Sequence, residues 1–120
     1  MCGLAGYLQL QPGTPAPRIL KSMGDAIAHR GPDGEGYYSD GPIGLVHRRL
    51  AIIDLSPAGH QPMASQDGRY LLVYNGEVYN FQELRIELEA KGGHHFRSRT
   101  DTEVVLKALI EWGEDALLRF

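Results

Sequence analysis

The apolar residues of this chain come in runs of only a few residues, and glycine or proline closes most of them. With 15 glycines and 7 prolines among 120 residues, no stretch approaches the length and apolarity of a bilayer-spanning helix. What such punctuation permits is a set of short strands and short helices. They do not alternate regularly, as a doubly wound sheet requires, so the periodicity supports mixed α+β and nothing finer.

Residues 3–10 (GLAGYLQL) are expected to form a first strand, and residues 11–17, with Pro12, Pro15 and Pro17, a loop. Ile19, Leu20, Met23, Ala26 and Ile27 recur at helical spacing, and Gly31-Pro32 should end that helix. Ile43 to Val46 and Leu50 to Leu55 are expected as a strand, a bend and a second strand, followed by a loop over 56–68. Tyr70 to Tyr74 is the strongest strand candidate, a continuous apolar run of the buried type. Two capping signatures follow: Asn80 precedes Glu83 by three residues, and Thr100 precedes Glu103 by three. The first helix should bury Leu84 and Leu88 and stop at Gly92-Gly93. The second should bury Val105, Leu106, Leu109 and Ile110 and stop at Gly113, with a short strand near His95 to Arg97 between them. Asp115 to Phe120 begins a further helical pattern whose apolar groups have no assigned partner, which points to a longer protein.

The length suits one domain with a modest core. The net charge is −3 and the basic residues are scattered, so no basic stripe for nucleic acid is present in the sequence. A single cysteine closes no internal disulfide, and the five histidines show no zinc-site spacing, so no metal is expected. His47 is the histidine expected to be buried, on a strand. Tyr7, Tyr37, Tyr38 and Tyr79 are expected to pack, and Arg48 to lie on the surface. No basic segment followed by an apolar core opens the chain, so a cytoplasmic protein is expected.

The single cysteine is Cys2. Removal of Met1 would expose a thiol, of ordinary pKa about 8.5, beside its own α-amine, of ordinary pKa about 7.7–8.0. That amine can accept the thiol proton and hand it to a leaving group, so nucleophile and base come on one residue. A lone cysteine is more often a small buried hydrophobe, and on its own it decides nothing.

Its surroundings are more specific. Residues 1–6 are MCGLAG, residues 29–36 HRGPDGEG, residues 47–55 HRRLAIIDL, residues 59–63 GHQPM, residues 74–80 YNGEVYN and residues 99–104 RTDTEV. In this order the motifs resemble the class II, or N-terminal-nucleophile, glutamine amidotransferases, and within them the glutaminase domain of asparagine synthetases. The match runs from Cys2 to about Trp112. A glucosamine-phosphate-forming relative would carry Tyr in place of Pro32, and Arg-Trp-Ala-Thr-His where this chain has Arg49-Leu50-Ala51-Ile52-Ile53.

The resemblance implies a four-layer α-β-β-α sandwich, incomplete within these residues, and a role for each motif. Cys2 would attack the glutamine side-chain amide. The Asn75 amide and the Gly76 N–H would form the oxyanion hole, although Asn-Gly is also a common turn. Arg49 would hold the glutamine α-carboxylate, and Glu77 and Asp101 its α-ammonium. Asp101 also suits the first turn of a helix. The backbone of Leu50, Ala51, Ile52 and Ile53 would line the pocket. Arg30 and Asp33 receive no chemical role and could simply pair across a turn.

Residues 1–120 are thus expected to be a partial glutaminase domain. Its ammonia would go to a C-terminal synthetase domain that uses ATP, Mg2+ and aspartate. No S-G-G-x-D pyrophosphate loop occurs in these residues, so no ATP or other cofactor is expected here. Glutamine and that domain are the implied partners, with no membrane or nucleic acid, and a homodimer is left open. Two alternatives stay open: the glutaminase of another class II amidotransferase, and a remnant without turnover.

Overall fold

The computed structural model describes residues 1–9 and 17–120. The described chain is α+β, with elements β1 (Gly3–Leu8), α1 (Pro17–Ala26), β2 (Gly34–Asp40), β3 (Ile43–Arg49), β4 (Met63–Ala64), β5 (Leu71–Leu72), α2 (Phe81–Lys91) and α3 (Asp101–Trp112). Single 3-10 turns occupy Ala28–Arg30 and Pro57–Gly59, and a longer one Gly113–Leu118. The chain divides into two compact units. The first comprises Met1–Ala51, His60–Pro62 and Leu72–Asn75, and the second Ile52–Gly59, Met63–Leu71 and Gly76–Phe120.

The first unit is built on an antiparallel sheet of order β1-β3-β2, with β3 central. Gly3 lies opposite Arg48 and Leu8 opposite Ile43, and on the other side Gly34 lies opposite Arg49. Gly41 turns β2 into β3 at φ 50°, a conformation that suits a residue without Cβ. Tyr7 packs across the open face of its partner Gly44, where a Cβ would stand 2.4 Å from the ring. Helix α1 lies against the same sheet through Gly24, where a Cβ would meet the Tyr37 hydroxyl at 2.6 Å and Val46 Cγ2 at 2.9 Å. Leu20 and Val46 are buried beneath it. Arg48 ties the layers by donating to Gly24 O at 3.0 Å and pairing with Asp25 at 3.0 Å and Glu35 at 2.7 Å. Its side chain is only 13% exposed, so it is a packing residue and not the surface arginine expected.

In the second unit α2 packs on α3. Leu84 and Leu88 are buried on α2, and Val104, Val105, Leu106 and Ala108 on α3. Each fully buried aliphatic side chain contributes about 1.5–3 kcal/mol. Thr100 caps α3 by accepting from the Glu103 N–H at 3.2 Å, and Glu103 reaches back to accept from Ser98 N–H at 2.6 Å and Arg97 N–H at 3.0 Å. Gly113 ends the helix at φ 58°. Among the described residues no helix is long and apolar enough to cross a membrane.

Several sequence expectations fail here. Leu50 to Leu55 is irregular, and the N–H groups of Leu50 and Ala51 donate to the side chains of Cys2 and Asp33. Tyr70 to Tyr74 reduces to the two residues of β5, whose partner β4 is equally short, and its side chains are half-buried or exposed. No strand forms at His95 to Arg97, where the Arg97 N–H is taken by Glu103. Asn80 stands at the start of α2 but does not cap it, donating instead to Arg119 O at 2.7 Å. Leu109 and Ile110 are half-buried, the face of α3 being carried by Val104 and Ala108. Strand β2 covers residues to which the sequence pattern assigns no element. Leu10 and the loop residues 11–16 lie outside the described residues.

Replacing Thr100 by Ala should lower the unfolding free energy by about 1 kcal/mol, while Thr100→Ser should cost much less. Urea denaturation of the three proteins checks this.

Candidate active site

Cys2 leads into β1, and the register that sets Gly3 opposite Arg48 carries it to the end of β3. There the Leu50 N–H donates to Cys2 Sγ at 3.3 Å, and the thiol donates to Leu50 O at 3.6 Å. The sulfur is half-buried. Arg30 Nε donates to Cys2 O at 3.0 Å. Asp33 accepts from the Ala51 N–H at 2.9 Å, and its own N–H donates to Arg49 O at 2.9 Å. Arg30 and Asp33 therefore hold the two strands of chain around the thiol and do not pair with each other.

The glycines of the same motif explain its tightness. A Cβ on Gly31 would fall 2.2 Å from the Arg48 carbonyl carbon, and one on Gly36 would fall 2.0 Å from Gln61 O. Both positions bring backbone against backbone, which only glycine permits.

His47, the register partner of Gly36, is 1% exposed. Its Nε2 lies 3.2 Å from Tyr74 O. A carbonyl can only accept, so Nε2 carries the proton, and Nδ1, which has no hydrogen-bond partner among the described residues, carries the lone pair. Burial pushes the His47 pKa down, against the opposing pull of the Tyr74 carbonyl, and His60 and Arg49 lower it further. The ring is held neutral. From the other side, Gln61 Oε1 accepts from the Tyr74 N–H at 2.6 Å. Asn75 follows this doubly held residue.

In the second unit Asp101 is 7% exposed at the first position of α3. One carboxylate oxygen accepts from the Val78 N–H at 3.1 Å and the other from the Thr102 N–H at 2.9 Å. The helix-start role and a tie to the Gly76-Glu77-Val78 segment are thus both real. Gly76 and Glu77 are exposed. Ile52 and Ile53 are also exposed, at 67% and 48%. Ile53 lines a groove of about 520 Å3 with Asp54, Phe96 and Arg99 among others.

The first unit therefore brings Cys2, Leu50 and Ala51 together with Arg49 beside them, and carries Asn75 on a segment fixed to β3. The second unit joins Asp101 to the segment holding Gly76 and Glu77. Tyr79 is 91% exposed and is not the packing residue expected. His94 is 12% exposed and pairs with Glu111 at 2.9 Å, so it is no free surface histidine. His47 is buried on its strand, as expected, but its hydrogen bond to Tyr74 and the part of Gln61 were not foreseen. A polar ring inside the apolar alternation of β3 was the available signal.

The sequence matches the family described as the glutamine amidotransferase domain over residues 1–120. It is 42% identical over 119 residues to glutamine-hydrolyzing asparagine synthetase 1 of Bacillus subtilis strain 168, covering 97% of this chain and 18% of that protein. It is also 42% identical over 120 residues to the synthetase numbered 2 of the same organism, covering 94% of this chain and 15% of that protein. With glutamine-hydrolyzing asparagine synthetase 1 of Arabidopsis thaliana the identity is 37% over 116 residues, covering 96% and 19%. The chain spans less than a fifth of each of these relatives.

The neutral His47 makes a pH prediction. Its folded pKa lies below the ordinary 6.5, so its contribution to stability is whole above that value and is lost as the pH falls below it toward the lowered one. Unfolding free energies measured by urea titration between pH 7.5 and 5 should fall on acidification. The fall should be shallower in His47→Gln, which keeps an N–H donor for Tyr74 O and does not titrate.

Proposed function

We propose a glutaminase: the chain belongs to the glutamine amidotransferase domain family, and its Cys2 is the nucleophile. In this reading Met1, which is 71% exposed, is removed, freeing the α-amine of Cys2. Glutamine binds with its α-carboxylate on Arg49 and its α-ammonium between Glu77 and Asp101, along the backbone of Leu50 to Ile53. The amine takes the thiol proton and the sulfur forms a bond to the amide carbon. The negative charge that develops on oxygen is met by the Asn75 amide and the Gly76 N–H. The intermediate collapses, the carbon–nitrogen bond breaks, and the amine returns the proton to the departing nitrogen, which leaves as ammonia. Water then hydrolyses the γ-glutamyl thioester to glutamate and restores the thiol.

The observation that carries this reading is the contact of Cys2 Sγ with the Leu50 amide at the end of β3. It stations the sulfur beside the residue that follows Arg49, so nucleophile and carboxylate clamp share one strand end.

The wider setting follows from the relatives, whose names join glutamine hydrolysis to asparagine synthesis. Ammonia released here would serve the ATP- and Mg2+-dependent amidation of aspartate in a synthetase domain outside residues 1–120. The S-G-G-x-D loop that such a domain needs is not among these residues. The same reading takes the two described sheets and three helices as parts of an N-terminal-nucleophile α-β-β-α sandwich in a cytosolic enzyme. The relatives' names favour aspartate over other ammonia acceptors.

Incubating the chain with glutamine should release glutamate, and Cys2→Ala should reduce the release to background. Unchanged release from Cys2→Ala would remove Cys2 as nucleophile. Absence of release from the intact protein would favour a remnant that keeps the motifs without turnover.

A further inference from the structure

We infer that His47 and Gln61 are positioning residues that aim Asn75 at the developing oxyanion by clamping the Tyr74 backbone from both sides. The inference rests on the glutaminase reading above and deepens it.

The ladder between β4 and β5 ends at Leu72, and residues 73–75 belong to no helix or strand. Beyond the two-residue strand, two buried side chains hold the Tyr74 backbone. Gln61, 5% exposed, takes the Tyr74 N–H at 2.6 Å, and His47, 1% exposed, donates to Tyr74 O at 3.2 Å. The first bond orients the peptide between residues 73 and 74, and the second the peptide between 74 and 75. With both planes set, the φ and ψ of Tyr74 are set, and with them the N–Cα bond from which the Asn75 side chain departs.

This matters because an oxyanion donor must lie about 2.7–3.1 Å from the place where charge develops, and supporting contacts hold such geometry to about 0.5 Å. The clamp is itself anchored. His47 sits on the central strand, and the backbone of Gln61 rests on Gly36, the register partner of His47, at a spacing that excludes a Cβ. One rigid strand pair thus carries both jaws. The site motifs HRGPDGEG and GHQPM meet at this point, which gives Gly36 and Gln61 a part in the chemistry.

The test compares Gln61→Met and His47→Leu, which remove one jaw each, with Gln61→Glu and His47→Gln, which keep an acceptor and a donor. Removing an oxyanion donor outright costs about 10²–10³ in kcat, so misaiming one should cost about 10- to 100-fold. We expect that loss in kcat for glutamine with KM changed by less than about threefold, and recovery of most of it in His47→Gln. The rate of Cys2 alkylation by iodoacetamide, a reaction that builds no oxyanion, should stay within about twofold of the parent. A loss of kcat matched by an equal loss of alkylation, or an unchanged kcat in the folded variants, would overturn the clamp. A second measurement needs no variant: amide hydrogen exchange of the parent should show Tyr74 N–H strongly protected, and exchange as fast as an exposed loop would overturn the clamp as well. Glutamate release retained by Cys2→Ala would instead remove Cys2 as the nucleophile and leave the exchange result to judge the clamp separately.

Discussion

The antiparallel pairing of β1 with β3, with Gly3 opposite Arg48, is the constraint on which the candidate site depends. It decides which backbone amide meets the Cys2 sulfur, and that amide is Leu50. Side chains in a strand alternate between faces, so a slip of one residue would turn Arg48 away from α1 and His47 away from Tyr74. β3 is held on both sides, by β1 and by β2, and such a slip would break both ladders at once. α1 adds a third hold, with Arg48 donating to Gly24 O and pairing with Asp25 and Glu35.

Beyond the strand ends the chain is irregular, and the way its backbone groups are satisfied follows one pattern. Acidic side chains accept from loop N–H groups that have no ladder partner. Asp33 takes Ala51, Asp54 takes Ser56 and Arg99, Asp101 takes Val78, and Glu103 takes Arg97 and Ser98. Charge-assisted hydrogen bonds of this kind are stronger than neutral ones. They let segments without regular structure present their backbones in fixed directions, as a site built from amide groups requires. The clamp on Tyr74 extends the pattern with a neutral glutamine and a neutral histidine.

Local signals made much of this legible in the sequence. The Thr100–Glu103 capping box, the helix stops at Gly92-Gly93 and Gly113, and the burial of Leu84 and Leu88 follow from short-range chemistry, and they are found in the structure. Where pairing partners decide the outcome, sequence patterns failed. Leu50 to Leu55 and Tyr70 to Tyr74 have strand composition, yet the first joins no sheet among the described residues and the second has a neighbour of two residues. Strand β2, with two glycines in seven residues, carries no strand signal of its own and forms because β3 supplies its ladder. For the site, motif order marked Cys2, Arg49, Asn75 and Asp101. The tasks of Arg30, Asp33, Gln61 and His47 are contacts to backbone atoms 13 to 28 residues away, which no spacing rule reveals.

Cys2 unites these levels: its position follows from β-sheet register, its neighbours from the loop carboxylates, and its chemistry from the thiol and amine it would carry after loss of Met1. Intact-mass spectrometry after rapid acid quench of the protein mixed with glutamine tests that claim most directly. The expected result is loss of Met1 and a transient adduct of one glutamyl unit, mapped by peptide fragmentation to Cys2 and missing from Cys2→Ala. Glutamate formation with no adduct on Cys2 at any quench time, or with the adduct on another residue, would contradict it.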